Sequence, residues 1–128
     1  MVAVGWGDPS DDEAPDYSGD EIAGMLIHSA FEVVTDSRDT HGDAVENMEH
    51  IAEGWTWYLR AVGVLDEDES IPGPHAARMM ELVKLSRTSI GTYDPDHDRD
   101  TAGYAGIATA CEAARGNATL EEIGGGDH

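Results

Sequence analysis

A chain of 128 residues has the length of one domain and buries one contiguous core, not two. Hydrophobic residues make up 40% but aromatics only 6%, so that core must be built from Ala, Val, Leu, Ile and Met, as in packed helices. The 27 acidic residues against 7 basic ones give a formal charge of -20, which leaves no basic stripe to replace phosphate counterions and excludes a nucleic-acid binder.

So large a charge destabilises a compact state by self-repulsion. Molar salt relieves it by cutting the screening length to about 3 Å. The expected setting is therefore the salt-rich cytoplasm of a halophile, or of a virus that infects one; the alternative is an acidic mesophilic protein. Cys111 is the single cysteine, so no intramolecular disulfide can form. No apolar run approaches the ~20 residues of a membrane span, and residues 1–16 lack the basic start and apolar stretch of a signal peptide. A cytoplasmic protein with no membrane partner is expected.

Residues 1–17, with Gly5, Gly7, Pro9 and Pro15 among acids, read as a flexible acidic leader. The helical domain follows over 18–115. Ser18 with Glu21 is a capping-box pattern, and Ile22, Met25, Leu26, Ala30 and Val33 repeat at helical spacing, predicting a helix to about Thr35. After a polar turn, Asp43 caps a second helix to about Val62, with Val45, Met48, Ala52, Trp55 and Leu59 as its stripe and Gly63 as its stop. Trp55 and Trp57 cannot both face the core. Leu65 to Pro74, acidic and then Pro72-Gly73-Pro74, reads as a loop and a candidate lid. A third helix is expected from His75 to Ile90, where Met79-Met80 reads as core filler. A fourth is expected from Arg99 to Arg115, where Gly103 and Gly106 allow close approach of a neighbour. Residues 116–128 read as a flexible tail. Short connections between four helices imply an all-α, antiparallel four-helix bundle.

Several charges fall on the apolar stripes. Arg87 lies within the stripe of the third helix, one turn after Val83, with Lys84 at its edge. Asp100 lies on the stripe of the fourth helix, and Asp96 continues that face if the helix reaches it. Glu49 flanks the stripe of the second helix, with Glu46 further round. Burying charge is costly unless it is paired or bound to a metal. Two accounts follow. One is a structural Arg87–Asp100 ion pair. The other is a polar cleft in which carboxylates hold Mg²⁺, an oxygen-seeking ion, while Lys84 and Arg87 take up substrate phosphates. The histidines show no zinc-type spacing.

The stretch from Arg38 to Tyr104 resembles a family of small phage and prophage proteins. The likeness is carried by Arg38 with His41-Gly42-Asp43, Glu46-Asn47, Ile51-Ala52, Trp55, Tyr58-Leu59, Met79-Met80, Leu82, Lys84, Ser86-Arg87, Asp96, Asp100 and Ala102-Gly103-Tyr104-Ala105. That family is similar in turn to the MazG-like all-α nucleotide pyrophosphohydrolases, which hold Mg²⁺ (or Mn²⁺) on a Glu-x-x-Glu of one helix and a Glu-x-x-Asp of a later one. Glu46 to Glu49 matches the first element. The second is unmatched: Asp96 and Asp100 stand four apart, and Glu81 is followed by Lys84.

The resemblance implies hydrolysis of a (d)NTP to (d)NMP and pyrophosphate, in a homo-oligomer. Metal would sit on Glu46, Glu49, Asp96 and Asp100. Glu49 and Asp100 would be catalytic, and Lys84, Arg87 and Arg38 would hold the phosphates. The broken second element supports an alternative, a non-catalytic nucleotide-sensing or protein-interaction module of a halophilic virus or prophage.

The charge argument is directly testable. Between about 0.1 M and 2 M KCl the thermal unfolding midpoint, followed by circular dichroism, is expected to rise by about 10 °C, on the order of 2 kcal/mol. A midpoint that does not move would remove the salt explanation of the acidity.

Overall fold

The computed structural model describes residues 16–36 and 43–125. Residues 1–15 of the expected leader, and residues 37–42 with Arg38 and His41, lie outside the described residues. Five helices follow in order: α1 (Gly19–Asp36), α2 (Ala44–Ala61), α3 (Gly73–Arg87), α4 (Pro95–Ala114) and the short α5 (Leu120–Ile123). Among the described residues there is no strand, and no helix is long and apolar enough to cross a membrane.

The two caps expected at the start are formed. Glu21 N donates to Ser18 Oγ while Ser18 N donates to Glu21 Oε1, both at 3.1 Å. Asp43 accepts from Glu46 N at 3.0 Å. Gly63, at φ 83°, takes the left-handed conformation that ends α2. Two helices begin earlier than expected. α4 starts at Pro95 rather than Arg99, because Asp94 accepts from Asp96 N at 2.9 Å and Pro95 occupies the first helical position, where a missing N–H costs nothing. α3 starts at Gly73 rather than His75, with no side-chain cap from Pro72. The segment expected as a loose tail contains α5, closed at its start by a Thr119–Glu122 capping box.

The core is small-residue packing. Met48 and Ala52 of α2, Ala76 and Ala77 of α3, and Ala108 and Cys111 of α4 are buried together. Side chains this short let α3 and α4 pack closely, which is the physical reason for so few aromatics. Trp55 packs against this cluster, whereas Trp57 is 71% exposed. Met80 is half-buried but Met79 is exposed, so only one of that pair fills the core. On the other side of α4, Gly103 admits α1: a Cβ there would stand 3.3 Å from Val34 Cγ2. Gly106 has nothing near it. α4 thus packs on α3, α2 and α1.

The connection expected as a lid is strapped down. Arg60 Nε and Nη2 donate to the carbonyl of Glu69 at 3.0 and 2.7 Å. Ile71 N donates to the buried Thr56 Oγ1 at 2.9 Å, and Gly73 N donates to Glu49 Oε1 at 2.8 Å. Glu49, Thr56 and Arg60 share one face of α2, and they meet alternate residues of an extended segment. Replacing Thr56 by Val keeps the shape and strands the Ile71 N–H. It is expected to lower stability by about 1–2 kcal/mol and to speed exchange of the Ile71 amide, both readable by denaturant titration and hydrogen exchange.

Candidate functional site

Two clefts flank the core. The first opens between α1, α2 and α4 and encloses about 300 Å³. Ala30, Val33 and Val34 of α1, Met48 and Ile51 of α2, and Tyr104 and Ile107 of α4 give it apolar walls. Asn47, Arg99 and Asp100 are its polar groups. Asp100 is held from α3 by Lys84, Nζ to Oδ2 3.0 Å, and the lysine is only 17% exposed. Arg99 donates to Ser29 Oγ of α1 and to Asp96 one turn back. The Asn47 side chain makes no hydrogen bond among the described residues and is exposed at the mouth.

The second cleft is wider, about 800 Å³, and lies between α2, the strapped connection and the end of α4. Glu49, Glu53, Thr56, Trp57, Arg60 and Arg115 line it. Glu49 is the most heavily engaged carboxylate there. Arg115 Nη2 meets both of its oxygens at 3.0 and 2.9 Å, Arg115 Nε adds a contact at 3.2 Å, and Gly73 N donates from the start of α3. The Arg115 hydrogen bonds hold the Glu49 carboxyl below its ordinary value of 4.5 against the opposing effect of burial, and the Gly73 N–H adds to them. The partner guanidinium is raised by the same contact. Burial pushes the Cys111 thiol up, which leaves it an inert core residue.

The expected site residues are therefore distributed, not gathered. Glu49 belongs to the second cleft and Asp100 to the first, with no lining residue in common. Asp96 is paired to Arg99 on its own helix, and Glu46 is exposed in the first turn of α2. Asp100 is paired with Lys84, where sequence reasoning had offered Arg87; Arg87, at the last turn of α3, is exposed and has no ion pair among the described residues. Among the described residues no three His, Cys, Asp or Glu side chains converge closely enough to hold a metal ion. The donor set that the resemblance implies for Mg²⁺ thus does not fit this arrangement. Arg38 lies outside the described residues. Arg115 was missed, since from the sequence it is only a cation at a helix end. Asn47 was visible only as part of a motif.

Comparison with known proteins bears on these residues. A family described as a domain of unknown function, DUF6378, matches residues 25–112, from within α1 to near the end of α4; this range holds every residue that lines the first cleft but stops short of Arg115 in the second. The chain belongs to the DUF6378 family. It is also similar to the Gene 55 protein of Mycobacterium phage L5, 36% identical over 83 residues, or 64% of this chain and 49% of that protein. The chain thus spans about half the length of that relative. No solved structure matches it. The phage link expected from the motifs is upheld at the level of this family.

The Glu49 clasp carries a sign that can be checked. A carboxyl whose folded value is depressed contributes stability above its unfolded value and loses it as pH falls through the folded one. Glu49→Gln should cost about 1 kcal/mol at pH 7. The gap between parent and variant is expected to narrow steadily below pH about 4.5 in denaturant melts. A gap that stays constant from pH 7 to 3 would show that the ion pair contributes nothing.

Proposed function

We propose that this DUF6378 protein is a nucleotide-binding module that does not hydrolyse its ligand, and that its site is the cleft between α1, α2 and α4. The observation that carries the reading is the lining of that cleft. A mostly apolar pocket of about 300 Å³ with a few convergent polar groups is the usual form of a small-molecule site. Ile51, Ile107 and Tyr104 offer apolar contact to a heteroaromatic ring. The Asn47 amide, donor and acceptor on one edge, and the Asp100 carboxylate, acceptor only, suit the edge of a base. Of the cations, Arg99 lines the cleft and brings to it the positive charge that phosphates need, which is scarce in a chain of charge -20.

The same facts weigh against the pyrophosphohydrolase chemistry. That reaction needs carboxylates clustered on metal to neutralise the phosphates and to orient water. Here Glu49 is satisfied by Arg115 and Gly73, Asp100 by Lys84, and Asp96 by Arg99. We place the four long helices in the antiparallel arrangement of the MazG-like proteins, retained as a binding scaffold. For a phage-related protein, such a module would report on a nucleotide pool.

Calorimetry with a panel of NTPs and dNTPs in about molar KCl, chosen on the charge argument, tests this, with product separation on the same samples. Binding is expected with and without Mg²⁺ and without formation of monophosphate. Asn47→Trp, which fills the mouth from an exposed position, should weaken binding at least tenfold. Release of monophosphate and pyrophosphate, lost in Glu49→Gln, would instead establish the hydrolase. Absence of binding to any member of the panel would overturn the nucleotide reading.

A further inference from the structure

α1 and α3 are both incompletely covered, and they carry opposite charge. α1 runs for 18 residues with only Ala30 buried. Met25, Ile27 and Phe31 are 48%, 63% and 61% exposed. Its charged residues are Asp20, Glu21, Glu32 and Asp36, with no Lys or Arg. α3 buries Ala76 and Ala77, yet Met79, Leu82 and Val83, running round one side from Ala76, are exposed, Leu82 most at 65%. Helical spacing puts Met79, Leu82, Val83 and Ser86 in one uncharged stripe, with Arg78 and Arg87 on either edge.

α3 carries Arg78, Lys84 and Arg87 against Glu81 alone. Nearly half the basic residues of a chain of charge -20 thus stand on one 15-residue helix. Lys84 is spent on Asp100 and Arg78 reaches Glu81, while Arg87 has no ion pair among the described residues.

We propose that these faces meet between two copies of the chain, α1 of one against α3 of the other, twice in a closed pair. Each copy presents both surfaces, so two contacts form by a two-fold rotation. The helices are about 27 and 22 Å long at 1.5 Å per residue, so they pair along most of their length. Like faces are disfavoured: α1 on α1 sets eight carboxylates together, and α3 on α3 sets cation against cation. The opposite pairing covers apolar side chains and places Arg87 against an acidic helix, where complementary charge selects the partner and fixes register.

The test uses the full chain in about 1 M KCl, where the overall repulsion is screened to a few ångströms. Light scattering is expected to give about twice the 13.7 kDa of one chain. Leu82→Glu and Phe31→Glu, both at exposed positions, should each raise the dissociation constant at least tenfold with unchanged helical circular dichroism. Orientation is read by cross-linking. A Phe31→Cys chain mixed with a Leu82→Cys chain should form a disulfide-linked pair under mild oxidation, and neither should do so alone; the native Cys111 is buried and does not compete. A mass of 13.7 kDa at tens of micromolar, an association indifferent to both Glu variants, or cross-linking of Leu82→Cys with itself would each overturn the proposal.

Discussion

One carboxylate joins the three helices that build the core. Glu49, in the second turn of α2, receives the first N–H of α3 and the guanidinium that follows the last turn of α4. Each of those helix ends has a problem of its own. α3 opens on Pro72-Gly73-Pro74 with no capping side chain, and its leading N–H would otherwise face a cleft with no acceptor. Arg115 follows a helix whose first turn is acidic and whose last turn has no basic residue, and it finds its anion across the domain. A single acid answers both. A Cβ at 73 would lie 2.5 Å from the Glu49 carboxyl carbon, so a larger residue there has to displace the carboxylate from this position.

That economy explains which parts of the chain were legible from sequence. The Ser18–Glu21 box, the Asp43 cap and the Gly63 stop are local devices, each written within a few residues, and they were read correctly. The Asp94-Pro95 start of α4 is equally local but is masked by the acidic run around it, so the sequence leaves open whether the helix reaches Asp96, which it does. The start of α3 was not legible, because its acceptor sits 24 residues earlier in another helix. Of the charged residues at the apolar stripes, Asp100, Lys84 and Glu49 are paired, whereas Arg87 is exposed and has no ion pair among the described residues. The choice of partner was not readable: Lys84 is one turn nearer the start of α3 than Arg87, and that turn decides which cation meets Asp100. The Glu46–Glu49 spacing suggested a shared ligand, but helix geometry turned Glu49 toward α3 and left Glu46 in solvent.

The distribution of the few cations is more informative than the total charge. Arg60 is committed to the backbone of the connection between α2 and α3, Arg115 to Glu49, Arg99 to Ser29 and Asp96, and Lys84 to Asp100. Each of these ties one segment to another or orders a cleft wall. In this acid-loaded chain these four basic residues act as fasteners, while Arg78 reaches only Glu81 of its own helix and Arg87 has no ion pair among the described residues.

The strap over residues 69–73 has a consequence for how this stretch can change over time. α2 grips a carbonyl at 69 and amides at 71 and 73, backbone groups that depend little on the side chain except at 73, where a Cβ would meet the Glu49 carboxylate. The identities of Glu67, Asp68 and Ser70 are therefore loosely constrained. The number of residues is not: adding or removing one between Glu69 and Gly73 would turn the wrong backbone groups toward α2 and the Ile71 side chain away from the core. Relatives sharing this clamp should drift freely in composition here while holding its length fixed.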